Sequence, residues 1–220
     1  DLPVVGGDQL VADDVPAILE PNGQVLLVAS GAVAPSQFIE YLPPSNSFSA
    51  VAGTPTGFNR EYARMLLLPN GHGLVSLING EWLDLQFAPG GEAQWAPTIT
   101  SLLSTVFAGD TVTLGGTQLS GLSECSAFGD DNQQVENYPT VRIVSSVGGA
   151  TRYLRAHDVS TRSIAPQQTG TVKVDIPSDL PLGNYSLTVI AMGIPSNSWR
   201  VLVSAPPPPP PPPPTSVKNA

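Results

Sequence analysis

The sequence predicts an all-β chain in three parts, and three observations predict it. An apolar hairpin repeats at an offset of 48 residues within the first hundred. Short strands spaced about 8–12 residues apart fill residues 99–205. Nine consecutive prolines follow, from Pro206 to Pro214. The parts are read as two terminal blades of a β-propeller (1–98), an immunoglobulin-like β-sandwich (99–205) and a polyproline tail (206–220). With 24 prolines and 21 glycines in 220 residues, turns are favoured over long helices.

The repeat comes first along the chain. Ala17-Ile18-Leu19-Glu20-Pro21-Asn22-Gly23-Gln24-Val25-Leu26-Leu27-Val28 is echoed by Met65-Leu66-Leu67-Leu68-Pro69-Asn70-Gly71-His72-Gly73-Leu74-Val75-Ser76. Each copy reads as strand, turn, strand. Proline presets φ for the turn and Asn-Gly accepts positive φ. An alternating aromatic strand follows each copy, Phe38-Ile39-Glu40-Tyr41 and then Trp82-Leu83-Asp84-Leu85-Gln86-Phe87. A period near 48 with several short strands per unit is the pattern of propeller blades. The strands are apolar on both faces, as expected of blades packed between neighbours. Two blades cannot close a ring of about four to eight, so further blades or another chain are expected to complete it.

Beyond Gln94-Trp95-Ala96-Pro97-Thr98-Ile99 the rhythm changes. Predicted strands are Thr111–Leu114, Thr140–Val144, Arg152–Arg155, Thr171–Ile176, Tyr185–Ile190 and Trp199–Val203, separated by Gly, Pro and Asp clusters. About a hundred residues of this pattern predict an immunoglobulin-like sandwich. Val172, Val174 and Ile176 should face its core, and Thr171, Lys173 and Asp175 solvent. The proline run cannot enter a sheet or a helix, because proline lacks the N–H and fixes φ. It predicts an extended polyproline II rod of roughly 28 Å. It leaves the last strand without a Gly/Ser joint, so its direction should be fairly fixed.

Composition excludes several classes. The net charge of −9, with only nine Lys and Arg, argues against nucleic acid, which selects a basic surplus. No apolar run reaches the ~18 residues of a membrane-spanning helix. The single cysteine, Cys125, can form no disulfide within the chain and reads as a buried small hydrophobe, with a free thiol or an intermolecular bridge as alternatives. A start at Asp1 rather than Met reads as a processed chain or a piece of a longer one.

Several stretches resemble galactose oxidase and glyoxal oxidase, kelch-type propellers followed by an "early set" immunoglobulin-like domain. They are Arg60-Glu61-Tyr62-Ala63-Arg64-Met65-Leu66-Leu67-Leu68-Pro69-Asn70-Gly71, Gly115-Gly116-Thr117-Gln118-Leu119-Ser120-Gly121-Leu122, Gly129-Asp130-Asp131-Asn132-Gln133 with Asn137-Tyr138-Pro139, and Arg155-Ala156-His157-Asp158. The resemblance spans residues 13–205. The sandwich stretches are closest to secreted, non-oxidase kelch-propeller relatives. The resemblance implies a copper site built from an axial Tyr, an adjacent His, a His from a sandwich loop and a Tyr–Cys radical pair. Imidazole and phenolate in a tetragonal set suit Cu(II). Tyr62 stands at the axial position, but Ala63 stands where the adjacent His belongs, and a methyl cannot ligate. His157 lies about where the sandwich His reaches in. Tyr62 and His157 are therefore vestigial candidates, with no metal, cofactor or catalytic residue expected.

The remaining candidates have plainer readings. His72 reads as a solvated turn residue, Asp130-Asp131-Asn132 as an Asx-capped turn rather than a Ca²⁺ loop, and Asp13-Asp14 as a turn leading into the first blade. Trp82, Trp95 and Trp199 read as core or seam packing, with a sugar-stacking platform as the alternative. Asn184-Tyr185-Ser186 is the one N-x-S/T sequon and follows a turn, which makes Asn184 a glycosylation candidate. By resemblance to plant and algal hydroxyproline-rich glycoproteins, Pro206, Pro207, Pro208, Pro209, Pro210, Pro211, Pro212, Pro213 and Pro214 are hydroxylation candidates.

The expectation is a non-catalytic, extracellular or cell-surface structural or adhesive protein. Its partners would be upstream blades, other protein chains or glycans, with the rod as spacer or assembly element. The alternatives are the C-terminal part of a copper radical oxidase, acting on alcohols or aldehydes with O₂, and a carbohydrate-binding module.

Overall fold

The computed structural model describes residues 2–123, 126–127 (main chain) and 138–208. Cys125, the Asp130-Asp131-Asn132 loop and Pro209 to Pro214 lie outside the described residues. The chain is all-β, with several sheets and, among the described residues, short 3₁₀ turns in place of α-helices. Among the described residues, none of the sheets closes on itself.

In the first part, β1 (Val4–Val5) and β2 (Asp8–Gln9) form a small hairpin. β3 (Ala17–Leu19), β4 (Val25–Ala29), β5 (Gln37–Leu42) and β6 (Ser47–Ala50) form an antiparallel meander. β7 (Arg64–Leu67), β8 (Gly73–Ser76) and β9 (Trp82–Leu85) form a second one. The sequence repeat reappears as register. Ala17, Ile18 and Leu19 pair with Leu27, Leu26 and Val25, and Met65, Leu66 and Leu67 pair with Val75, Leu74 and Gly73. The turns match bond for bond. Gly23 N donates to Glu20 O at 2.9 Å, and Gly71 N to Leu68 O at 2.9 Å.

The two asparagines work differently from the sequence expectation. Only the glycines take positive φ, +89° at Gly23 and +84° at Gly71. Asn22 Oδ1 instead accepts from Gln24 N at 2.8 Å, and Asn70 Oδ1 from His72 N at 3.1 Å. The asparagine side chain thus stands in for a backbone acceptor and closes the turn.

The two meanders pack face to face. Ile18, Leu26, Val28 and Phe38 of the first meet Met65, Leu67, Val75 and Leu77 of the second. The other face of the first meander is covered by Leu10 and Leu2 from the N-terminal segment, packed on Leu27, Ala29 and Ile39. Among the described residues, no sheet covers the other face of the second. Cross-strand pairing puts Leu66, Leu74 and Asp84 in one row of that face, and Arg64, Ser76 and Trp82 in the next. Leu66 is 38% exposed and Trp82 66%. The first repeat therefore has two covered faces, and the second has one covered face among the described residues. Trp82 is not a core residue, because two thirds of it is exposed and no described residue packs over its face.

The second part comprises β10 (Thr98–Ser101), β11 (Thr105–Phe107), β12 (Thr111–Thr117), β13 (Ser126–Ala127), β14 (Thr140–Ser145), β15 (Thr151–Leu154), β16 (Ala156–His157), β17 (Thr169–Asp175), β18 (Gly183–Ala191), β19 (Ile194–Pro195) and β20 (Trp199–Ser204). One sheet has the order β10-β12-β17-β16, the other β11-β20-β18-β14-β15 with β19 on β18. All six strands expected from the sequence are present. Val172, Val174 and Ile176 are buried between the sheets with Val141, Ile143, Leu187, Val189 and Val201. Tyr185 is buried there too, and its hydroxyl donates to Pro181 O at 2.7 Å, tying the turn to the strand it feeds. The paired glycines of β12 let β10 cross closely, since a Cβ on Gly116 would lie 2.3 Å from Thr98 O.

Two pairings span the longest sequence separations among the described strands. β11 runs parallel to β20, and β13 leaves the second part to pair with β3, which joins the two parts through main-chain hydrogen bonds. After β20 the chain emerges from the sandwich, with Pro206 to Pro208 exposed.

Candidate functional site

Among the described residues, three places gather chemistry-bearing side chains. The first is the turn ahead of β7. Asn59 caps a single 3₁₀ turn, Arg60–Tyr62, by accepting from Glu61 N at 3.1 Å. The chain then extends at Ala63 and enters β7. Tyr62 stands out at 52% exposure. Ala63 has no exposure, and its methyl lies in the apolar cluster between the two meanders. An imidazole at 63 would have to displace that packing. Arg60 bonds Ser30 Oγ and lies 3.8 Å from Asp13, so it fastens this turn to the first meander.

The second place is the outer surface of the sandwich around His157. The ring lies between two aspartates, with Nε2 3.0 Å from Asp175 Oδ1 and Nδ1 3.4 Å from Asp158 Oδ2. Asp175 also accepts from Thr111 Oγ1 at 2.6 Å and from Arg155 Nη1 at 2.8 Å, while Lys173 Nζ donates to Asp158 at 2.9 Å. The Thr111 hydroxyl, then His157 and Arg155, hold the Asp175 carboxyl well below the usual range. Lys173 and His157 lower Asp158 in the same way. His157 belongs to β16 and Tyr62 to the turn before β7. These elements share neither a sheet nor an apolar cluster. Among the described residues no group of three or more His, Cys, Asp or Glu side chains is placed to hold a metal.

The third place was missed by sequence reasoning. The β3–β4 turn meets the Met192-Gly193 turn of the sandwich, and a cavity of about 270 Å³ opens beside that meeting point. Glu20, Trp95, Met192 and Ile194 line it. Trp95 leans on the turn, where a Cβ at Gly23 would lie 2.8 Å from its ring. Glu20 is 2% exposed. Its Oε2 accepts from Asn22 Nδ2 at 2.9 Å, and its Oε1 is buried with no hydrogen-bond donor. Burial pushes the carboxyl up to about 7, and Glu40 on β5 adds to the rise. The repeat itself carried a signal, because the residue matching Glu20 in the second copy is Leu68. A charge replaces an apolar residue in one copy of an otherwise matched hairpin.

The remaining candidates fall into place around these. His72 is not merely solvated, since its Nδ1 lies 2.8 Å from Asp84 Oδ1 across the β8–β9 pair. Trp199 packs on the sandwich core. Asn184 is exposed near the start of β18 and pairs with Leu202. Asp14 takes positive φ, +46°, in a turn before β3.

No family model matches the chain, and no curated protein matches it. Among solved structures, it is similar to a fungal alcohol oxidase of the AA5 family in complex with copper. That similarity has a TM-score of 0.32 and 15% identity, over 86% of this chain and 41% of the oxidase. It is also similar to domains 4 and 5 of the S-layer protein SbsC, with a TM-score of 0.23 and 14% identity, over 89% of this chain and 96% of that one. The chain thus spans less than half the length of the oxidase. No helix among the described residues is long and apolar enough to cross a membrane.

Proposed function

We propose that this chain is a non-catalytic structural or adhesive module of an extracellular or cell-surface protein, whose open second meander docks another β-sheet. One observation carries the reading. Among the described residues, no sheet covers the face bearing Leu66, Leu74 and Trp82, while the matching face of the first repeat, bearing Ile18 and Leu26, is closed by a neighbouring sheet. Exposed Leu66 and Trp82, set on this face with Leu74 among Arg64, Ser76 and Asp84, support an interaction surface of mixed apolar and polar character. The docking already seen between the repeats indicates the sort of partner that fits. It is a sheet presenting alternating aliphatic side chains, supplied by upstream blades of a longer chain or by another protein. Among the described residues β9 also has one edge unpaired, which invites strand addition.

The non-catalytic part rests on Ala63. The position that the galactose oxidase resemblance assigns to a copper ligand holds a buried methyl. The proline rod supplies spacing, and Asn184 is open to a glycan.

Sedimentation velocity tests the docking face. At a salt concentration that screens the net charge of −9, the chain should self-associate weakly with rising concentration. Trp82→Arg should abolish the association without changing the melting temperature. A wild-type chain that stays monomeric up to millimolar concentration, indistinguishable from the variant, overturns the reading. Equilibrium dialysis should find no stoichiometric copper, and a tightly held ion would restore the oxidase alternative.

A further inference from the structure

The internal repeat fixes which surfaces of the two meanders correspond. The offset of 48 residues maps Ile18, Leu26 and Val28 onto Leu66, Leu74 and Ser76. Strand register extends the map beyond the hairpins. Leu26 pairs with Glu40 and Val28 with Phe38, as Leu74 pairs with Asp84 and Ser76 with Trp82. An acid answers an acid, and an aromatic ring answers an aromatic ring. Phe38 is buried at the joint between the meanders, whereas Trp82 is exposed. The opposite faces correspond as well, because Met65, Leu67 and Val75 map onto Ala17, Leu19 and Leu27. The two meanders therefore meet through unlike faces. The face bearing Ile18, Leu26 and Phe38 on one lies against the face bearing Met65, Leu67 and Val75 on the other.

We propose that this joint is repeated between molecules: the Leu66, Leu74 and Trp82 face of one copy seats on the outer face of the first meander of a second copy. The proposal rests on the docking reading above and names the partner. Two observations carry it. The joint inside the chain shows that a face of the Ile18 type is matched by a face of the Met65 type. The corresponding face of the first meander has Ala17, Leu27, Ile39 and Ala50 in one cross-strand row, and Leu19, Val25, Tyr41 and Phe48 in the next. That face is only partly closed. Leu2 and Leu10 pack on its Ala29 and Ile39 end, while Val25, Tyr41 and Phe48 are half-buried and Ala50 is exposed. The Tyr41 and Phe48 rings lie with centroids 5.1 Å apart, an apolar pair for Trp82 to meet. The N-terminal segment keeps part of the face, so the contact between copies is smaller than the joint within the chain, and weak. Contact between unlike faces is heterologous. Each copy gives one face and receives on another, so growth continues past two copies into rows or rings.

Sedimentation velocity on two variants, alone and mixed, tests the proposal at a salt concentration that screens the net charge. Trp82→Arg spoils the giving face and Phe48→Arg the receiving one. Each alone should weaken association by about tenfold or more, as loss of a central aromatic contact does. Mixed in equal amounts, they should associate to within about threefold of the wild type, because each supplies the face the other lacks. The mixture should stop at a dimer, while the wild type should build larger species as its concentration rises. Should Phe48→Arg fail to fold, Ala50→Arg, at an exposed position on the same face, takes its place. A receiving-face variant that associates like the wild type, or a mixture that stays monomeric, overturns the proposal and leaves the docking face to another partner. A wild type that stays monomeric up to millimolar concentration, or a Trp82→Arg variant that still associates, overturns the docking reading and this proposal together.

Discussion

At the scale of single residues, Glu20 stands out because it sits against its own chemistry. Its folded-state value of about 7 lies above the ordinary 4.5, so folding favours the protonated acid. Below 4.5 both states are neutral and nothing is lost. As the pH rises from there to 7 the unfolded chain ionises and the folded one resists. Stability therefore falls through that window and levels off above it, a loss on the order of 3 kcal/mol at the plateau. Glu20→Gln should be more stable than the wild type at pH 8 and nearly equal to it at pH 4, as read from urea midpoints. Little of this was legible beforehand. A lone carboxylate at the end of an apolar strand reads as a turn residue until the sandwich is seen to close over it. The asparagines beside it were legible as turn residues, but their means, an Asx bond rather than positive φ, depends on side-chain geometry. Ala63 was readable from the sequence as a missing ligand, and its burial adds the reason a larger residue would not fit.

At the scale of elements, the local signals were the readable ones. The β3–β4 and β7–β8 hairpins announce themselves because their turns are built from adjacent residues, and the alternation of β17 reports its own buried face. The parallel pairing of β11 with β20 and the crossing of β13 to β3 join residues far apart in sequence, and no local pattern encodes them. Alternation also shows that a strand has an apolar face without showing whether anything covers it, so Trp82 was misplaced. The edge of the β16–β17 pair has a measurable consequence. Asp175 is held low by Thr111, His157 and Arg155, so its contribution is full above the ordinary carboxylate value of 3.8 and is lost as the pH falls through its depressed folded value. Circular-dichroism melts of Asp175→Asn between pH 5 and 2 should therefore fall less steeply than those of the wild type. Asp8, Asp158 and Asp179, also lowered, keep part of the acid limb in the variant. Equal slopes would mean that the network has no net effect on folding.

At the scale of the whole molecule, the described residues join the two parts in three ways, and each is unlike an ordinary linker. β13 hydrogen-bonds to β3. Gln118, 2% exposed, donates to the carbonyls of Gln94 and Ala96 at 3.0 and 3.2 Å and accepts from Gln167 N at 3.1 Å, clamping the connecting segment to the sandwich. The third joint is the contact of Met192-Gly193 with the two Pro-Asn-Gly turns. Met192 packs into the cluster between the meanders, and a Cβ at Gly193 would lie 3.0 Å from Gly71 Cα and 3.1 Å from Pro21 Cγ. Gly193 also has φ of +71°, where a β-branched residue is strained. Only glycine satisfies both the backbone angle and the close approach, so this position sets how firmly the sandwich seats on the turns. The wild-type chain should unfold in one calorimetric transition, with calorimetric and van't Hoff enthalpies in agreement, because the cluster that includes Met192 belongs to both parts. Gly193→Val should push the turns apart. The strained angle alone costs roughly 1–2 kcal/mol. The scan should then split into a lower transition for the N-terminal meanders and a higher one for the sandwich, whose own core of Val141, Ile143, Val172 and Val189 is untouched. A single, merely lowered transition would show that the β13 pairing and the Gln118 clamp hold the parts together without the seat.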